Sequence, residues 1–68
     1  MINDIEKNFT YHAPKEGQPE KYAKLREKAK ELALLVDDLC PNSRERSLAN
    51  TKLEEVVMWA NAAIARYE

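Results

Sequence analysis

The chain has 68 residues, a net charge of −1 and a pI near 5.8. A lone domain of this size buries only about 60% of the surface its unfolded form exposes, so it folds with little margin. Cys40 is the one cysteine and His12 the one histidine, which excludes an intrachain disulfide and leaves no basis for a metal cluster. Oligomerisation is then the remaining source of stability. The weakly acidic balance argues against a general binder of DNA or RNA polymers, yet leaves room for a small anion held by a few basic side chains. No apolar run is long enough to cross a bilayer and no basic-then-apolar leader opens the chain. With its single thiol, the expected setting is a reducing cytoplasm, away from membranes.

The first predicted element is a short helix over about residues 3–9, with Asn3 as its cap and Ile2, Ile5 and Phe9 on one face. Residues 10–18 read as a loop, punctuated by Pro14 and Gly17. Pro19 suits the first turn of the next helix, and Glu20 there complements the positive end of the dipole.

The second helix is expected over about residues 19–39. Its apolar positions Tyr22, Leu25, Ala29, Leu32, Val36 and Leu39 alternate spacings of three and four. Pro41 cannot continue it. Asn42 stands three residues before Glu45, the spacing of a capping box, and Ser43 is the competing cap. A third helix over about residues 43–67 follows, with the stripe Ala49, Leu53, Val56, Ala60, Ala63 and Tyr67 at the coiled-coil repeat. Two helices of some twenty residues joined by so short a turn lie antiparallel. The reading is therefore all-α, one helical-hairpin domain over residues 1–68. Leu34, Leu35, Val57, Trp59 and Ile64 lie off the two stripes, more apolar surface than a lone hairpin covers. A homo-oligomer follows, unless the short first helix covers that surface alone.

Enzymatic readings find little to stand on. His12 has no nucleophile or orienting carboxylate beside it. Cys40 sits at a helix carboxyl end, which disfavours a thiolate, and reads as a small apolar filler of the turn. Asp37 and Asp38 read as a solvated pair near Arg44 or Arg46 rather than metal ligands. No metal site and no cofactor is expected. Binding readings fare better. Tyr11 and His12 share a loop, where an aromatic ring either stacks on a base or simply packs the loop on the hairpin. Arg26 and Lys30, one turn apart beside the seam, can meet a phosphate, and most other cations of that helix form a solvated face. Arg44 and Arg46 stand at a helix amino end, open both to anions and to salt bridging across the turn. Arg66 suits the dipole at the far end of the third helix. Met58 and Trp59 read as packing residues, and Asn50 and Asn61 as register-setting or solvated amides.

The strings FTYHAP (Phe9 to Pro14), CPNSRERS (Cys40 to Ser47) and TKLEEVVMWANAAIAR (Thr51 to Arg66) resemble the hairpin domain of phage anti-CBASS and anti-Thoeris cyclic-nucleotide sponges. With the helix that links them, the resemblance covers nearly the whole chain. It implies compact homo-hexamers of interlocked trimers that sequester cyclic oligonucleotide messengers without cleaving them. Cyclic dinucleotides such as cyclic GMP-AMP would lie between subunits, and cyclic trinucleotides in a second pocket class on the symmetry axes. Carried onto this chain, the resemblance makes Tyr11 the base-stacking residue, Arg26 the phosphate contact with Lys30 second, and Arg66 the trinucleotide-pocket residue. A chain ending two residues after Arg66 is expected to carry no extension that closes a pocket. Two other readings stay open: a helical adaptor that presents its apolar stripe to a protein, and a sponge for cyclic ADP-ribose isomers. A phosphodiesterase is the poorest fit.

Overall fold

The computed structural model describes residues 5–68, so the expected contributions of Ile2 and Asn3 lie outside the described residues. Three helices follow in order: α1 (Ile5–Asn8), α2 (Gln18–Leu39) and α3 (Arg44–Tyr67). The two long helices pack on each other as a hairpin, as their periodicity predicts.

Each helix boundary has a local cause. Gly17 precedes α2 with φ 86°, a left-handed conformation that glycine alone adopts cheaply, and no side chain caps the helix there. Pro19 falls in the first turn, where its missing N–H costs nothing. At the other end the Cys40 amide still donates to the Val36 carbonyl at 2.9 Å, but Cys40 itself is extended (φ −106°, ψ 137°), as a residue before proline must be. Cys40 is exposed rather than packed into the turn, a correction to its reading as an apolar filler.

The start of α3 resolves the competition between two caps. Ser43 is extended, and its hydroxyl accepts from the Arg46 amide at 3.1 Å while donating to the Pro41 carbonyl at 2.9 Å. The Asn42–Glu45 capping box does not form. Only the residue directly before the first helical one places its side chain over the amide three further on, and that residue is Ser43. Asn42 instead accepts from Arg46 Nη2 at 3.2 Å. Arg46 thereby holds the whole turn. Its Nη1 also donates to the carbonyls of Cys40 (3.2 Å) and Asp37 (3.4 Å), and its Nε lies 3.7 Å from the Asp37 carboxylate. Asn50 donates to the same carboxylate at 2.9 Å, so Asp37 is neutralised where the dipole disfavours it.

The seam of α2 is as expected at Tyr22, Leu25, Ala29 and Val36, which are half-buried, but Leu32 and Leu39 stand exposed. On α3 the seam is displaced. Leu53, Val57, Ala60 and Ile64 are half-buried, whereas Ala49, Val56, Ala63 and Tyr67 of the heptad stripe are exposed. A straight helix at 3.6 residues per turn drifts from a 3.5 repeat, so α3 carries two adjacent apolar seams and the hairpin uses one. The molecule extends 42 × 28 × 13 Å, one helix thick in its shortest direction. Among the described residues no apolar side chain is fully buried, and Leu34, Leu35, Leu48, Val56 and Trp59 all face solvent.

α1 does not cover that surface. It is one turn long, Ile5 is exposed and Phe9 is 87% exposed. It is held by polar contacts instead: Thr10 donates to the Glu6 carbonyl, and Lys7 Nζ lies 4.3 Å from the centroid of the Tyr67 ring.

Candidate functional site

The loop after α1 and one edge of the hairpin enclose an open groove of about 590 Å³. Its walls come from three places in the sequence. The α1 end and loop supply Lys7, Asn8, Thr10, Tyr11 and His12; α2 supplies Tyr22 and Arg26; α3 supplies Met58, Asn61, Ala62, Ala65 and Arg66. Four of the candidates read from sequence thus meet in one place: Tyr11, His12, Arg26 and Arg66.

Tyr11 is 82% exposed, its ring standing in solvent at the mouth of the groove rather than packing the loop down. The loop is shaped by His12, whose Nε2 lies 2.8 Å from the Lys7 carbonyl. A carbonyl only accepts, so Nε2 carries the proton there, and in the neutral ring Nδ1 remains an acceptor. Arg26 reaches the groove from the α2 edge one turn after the half-buried Tyr22. Arg66 reaches it from the last turn of α3, where the negative end of the dipole favours a cation.

Electrostatically the groove departs from the molecule as a whole. The chain carries a net charge of −1, yet Lys7, Arg26 and Arg66 line the groove and no carboxylate does. Positive charge focused in a cleft attracts anions beyond what net charge would indicate. The remaining lining is apolar or amide: Met58, Ala62 and Ala65 offer a surface for a flat ring, and Asn61 a polar edge. The size lies within the range typical of small-molecule sites.

Lys30 lies instead on a second concavity of about 430 Å³, with Ala29, Ala33, Asn50, Leu53, Glu54 and Val57. Arg26 lines both. Asn50 Nδ2 is committed to Asp37, which fixes the amide orientation and leaves its buried Oδ1 without a partner in the single chain. Arg44 lines neither concavity; it stands at the hairpin tip, at the first residue of α3. Its neighbour Arg46 takes the salt-bridging role across the turn.

Sequence reading missed part of the groove. By periodicity Tyr22 belongs to the seam and Met58 to packing, yet both line it. Met58, Asn61, Ala62 and Ala65 have the spacing of a single helix edge, followed by Arg66, so a search for a second stripe on the third helix would have found them. Among the described residues no three His, Cys, Asp or Glu side chains converge as metal ligands, and no helix is long and apolar enough to cross a membrane.

The chain is thus a three-helix unit whose long hairpin and amino-terminal loop line one cationic groove. The Acb2/Tad1 hairpin domain matches residues 1–65, and the chain belongs to that family. No curated protein and no solved structure matches the chain.

Proposed function

We propose that this protein is a phage anti-defence sponge. It captures cyclic oligonucleotide second messengers in the host cytoplasm and does no chemistry on them, so that CBASS effectors stay inactive. The observation that carries the reading is the concentration of Tyr11, Arg26 and Arg66 in one groove with three cations and no carboxylate, on a chain that belongs to the Acb2/Tad1 hairpin family. A cyclic dinucleotide has flat bases and two phosphodiesters. Tyr11 stacks on a base; Arg26 meets a phosphate with its planar fork; Arg66 and Lys7 add positive charge, and His12 Nδ1 accepts from a base edge. Lys30 extends the cationic side along α2, and Arg44 meets ligand only if a neighbouring subunit brings its hairpin tip to a groove. A cyclic trinucleotide pocket built on Arg66 belongs to the assembly rather than to one chain.

Assembly is part of the proposal. A chain with no fully buried apolar side chain among its described residues, and with Leu32, Leu35, Val56 and Trp59 exposed, gains its core from other copies. The hexamer implied by the family resemblance supplies it. Titration calorimetry with cyclic GMP-AMP, a cyclic trinucleotide and cyclic ADP-ribose isomers tests the reading, with Arg26→Ala alongside. Binding of a cyclic di- or trinucleotide that weakens at least tenfold in Arg26→Ala supports it. Binding of a cyclic ADP-ribose isomer alone moves the target to the Thoeris signal. No heat from the folded protein with any ligand overturns it in favour of a protein-binding adaptor.

A further inference from the structure

Gln18 is the one fully buried residue among those described, at 2% exposure, and it is polar. Both ends of its amide are used. Oε1 accepts from the Lys15 amide at 2.9 Å, and Nε2 donates to the Ile64 carbonyl at 3.3 Å. Its own amide donates back to the Lys15 carbonyl at 3.0 Å. Ile64 lies in the last turn of α3, where helix carbonyls run out of partners within the helix. One side chain therefore closes the loop that carries Tyr11 and His12 and fastens it to the helix end that carries Arg66. Contacts that add to it, Lys7 over the Tyr67 ring, Lys15 with Glu68 and Lys21 of α2 with Glu68, are exposed and correspondingly weak.

We propose that Gln18 is a positioning residue for the groove. It touches no ligand, and it sets the separation between the Tyr11 loop and the Arg66 end of α3, so that ligand meets both walls already in place. This rests on the reading of the groove as a nucleotide site. The amide is suited to the task because it donates to one wall and accepts from the other. Glutamate at position 18 would keep the acceptor for Lys15 and oppose the Ile64 carbonyl with a second oxygen. Leucine would keep the volume and lose both bonds, so that nothing from position 18 ties the Lys15 amide to the Ile64 carbonyl.

The test uses the full chain with cyclic GMP-AMP as probe and two readouts. Gln18→Leu is expected to weaken binding about tenfold in the natural background and by much less in a Tyr11→Ala background, because most of its effect passes through the loop that holds Tyr11. Gln18→Glu is expected to weaken binding several-fold with helix content intact, and it serves if the leucine variant does not fold. In the ligand-free protein, hydrogen exchange at the Lys15 amide is expected to accelerate in Gln18→Leu, which loses the acceptor that Gln18→Glu keeps. Unchanged affinity in a folded variant, or equal losses with and without Tyr11, overturns the proposal; a purely structural role would lower the melting temperature and give that second result. If the natural protein binds no cyclic GMP-AMP, the nucleotide reading fails on its own account, and Lys15 exchange decides Gln18: unchanged protection overturns the tie.

Discussion

Phe9 and Tyr11 offer a comparison within one loop. Both rings stand in solvent, at 87% and 82% exposure, but only Tyr11 lines the groove. Truncating either to alanine removes little buried area, so each should change folding stability by no more than about 0.5 kcal/mol, or about 2–4 °C in melting temperature. Their effects on ligand should diverge. Stacking on one base contributes about 1–3 kcal/mol, so Tyr11→Ala should weaken cyclic dinucleotide binding by about 5- to 150-fold, whereas Phe9→Ala should leave it within about twofold. Tyr11→Phe keeps the ring and should keep most of the affinity. The assay is titration calorimetry on three variants whose helix content is matched by circular dichroism. Equal losses for Phe9→Ala and Tyr11→Ala would mean that the loop acts as generic apolar surface, and an unchanged Tyr11→Ala would remove the stacking role.

Three further outcomes follow from the packing. Ser43→Ala removes the cap of α3 and should cost about 1 kcal/mol, seen as a melting temperature about 4–8 °C lower. Leu32→Asp and Val56→Asp place charge on apolar surface outside the hairpin seam; sedimentation should show the assembly falling to single chains, with ligand binding lost alongside, and an unchanged mass would refute the copy-to-copy core. Glu68 is held below its ordinary value of 4.5 chiefly by the hydrogen bond from the Lys21 ammonium. A lowered carboxylate pKa favours the fold above 4.5, and that contribution is lost as pH falls through the folded value; Lys21→Ala should return the Glu68 titration toward 4.5 in a nuclear magnetic resonance pH series.

The architecture was legible because its determinants are local. Apolar spacing marked both long helices, and Pro41 and Gly17 marked their ends within a residue or so. What eluded sequence was a choice between near-equals. Asn42 and Ser43 both suit a cap, and only backbone geometry at the turn selects Ser43. The seams Leu53–Val57–Ile64 and Ala49–Val56–Ala63 lie a fraction of a turn apart, and the way the turn presents α3 to α2 decides between them. The groove was half visible. Tyr11 and Arg26 stood out through resemblance, but nothing linear brings Arg66 beside the loop after α1, because that meeting needs the hairpin to fold back over its full length. Gln18 gave no signal, since one glutamine beside a proline looks like any loop residue until its two partners are seen.

The central claim is capture without conversion, and the fate of the ligand tests it most directly. Cyclic GMP-AMP mixed with a molar excess of protein should vanish from the filtrate of a size-cutoff membrane, then return chemically intact and in full amount when the protein is heat-denatured. A linear dinucleotide in the released material would contradict the account by revealing an enzyme, and ligand that never leaves the filtrate would contradict it by showing that the groove does not hold it.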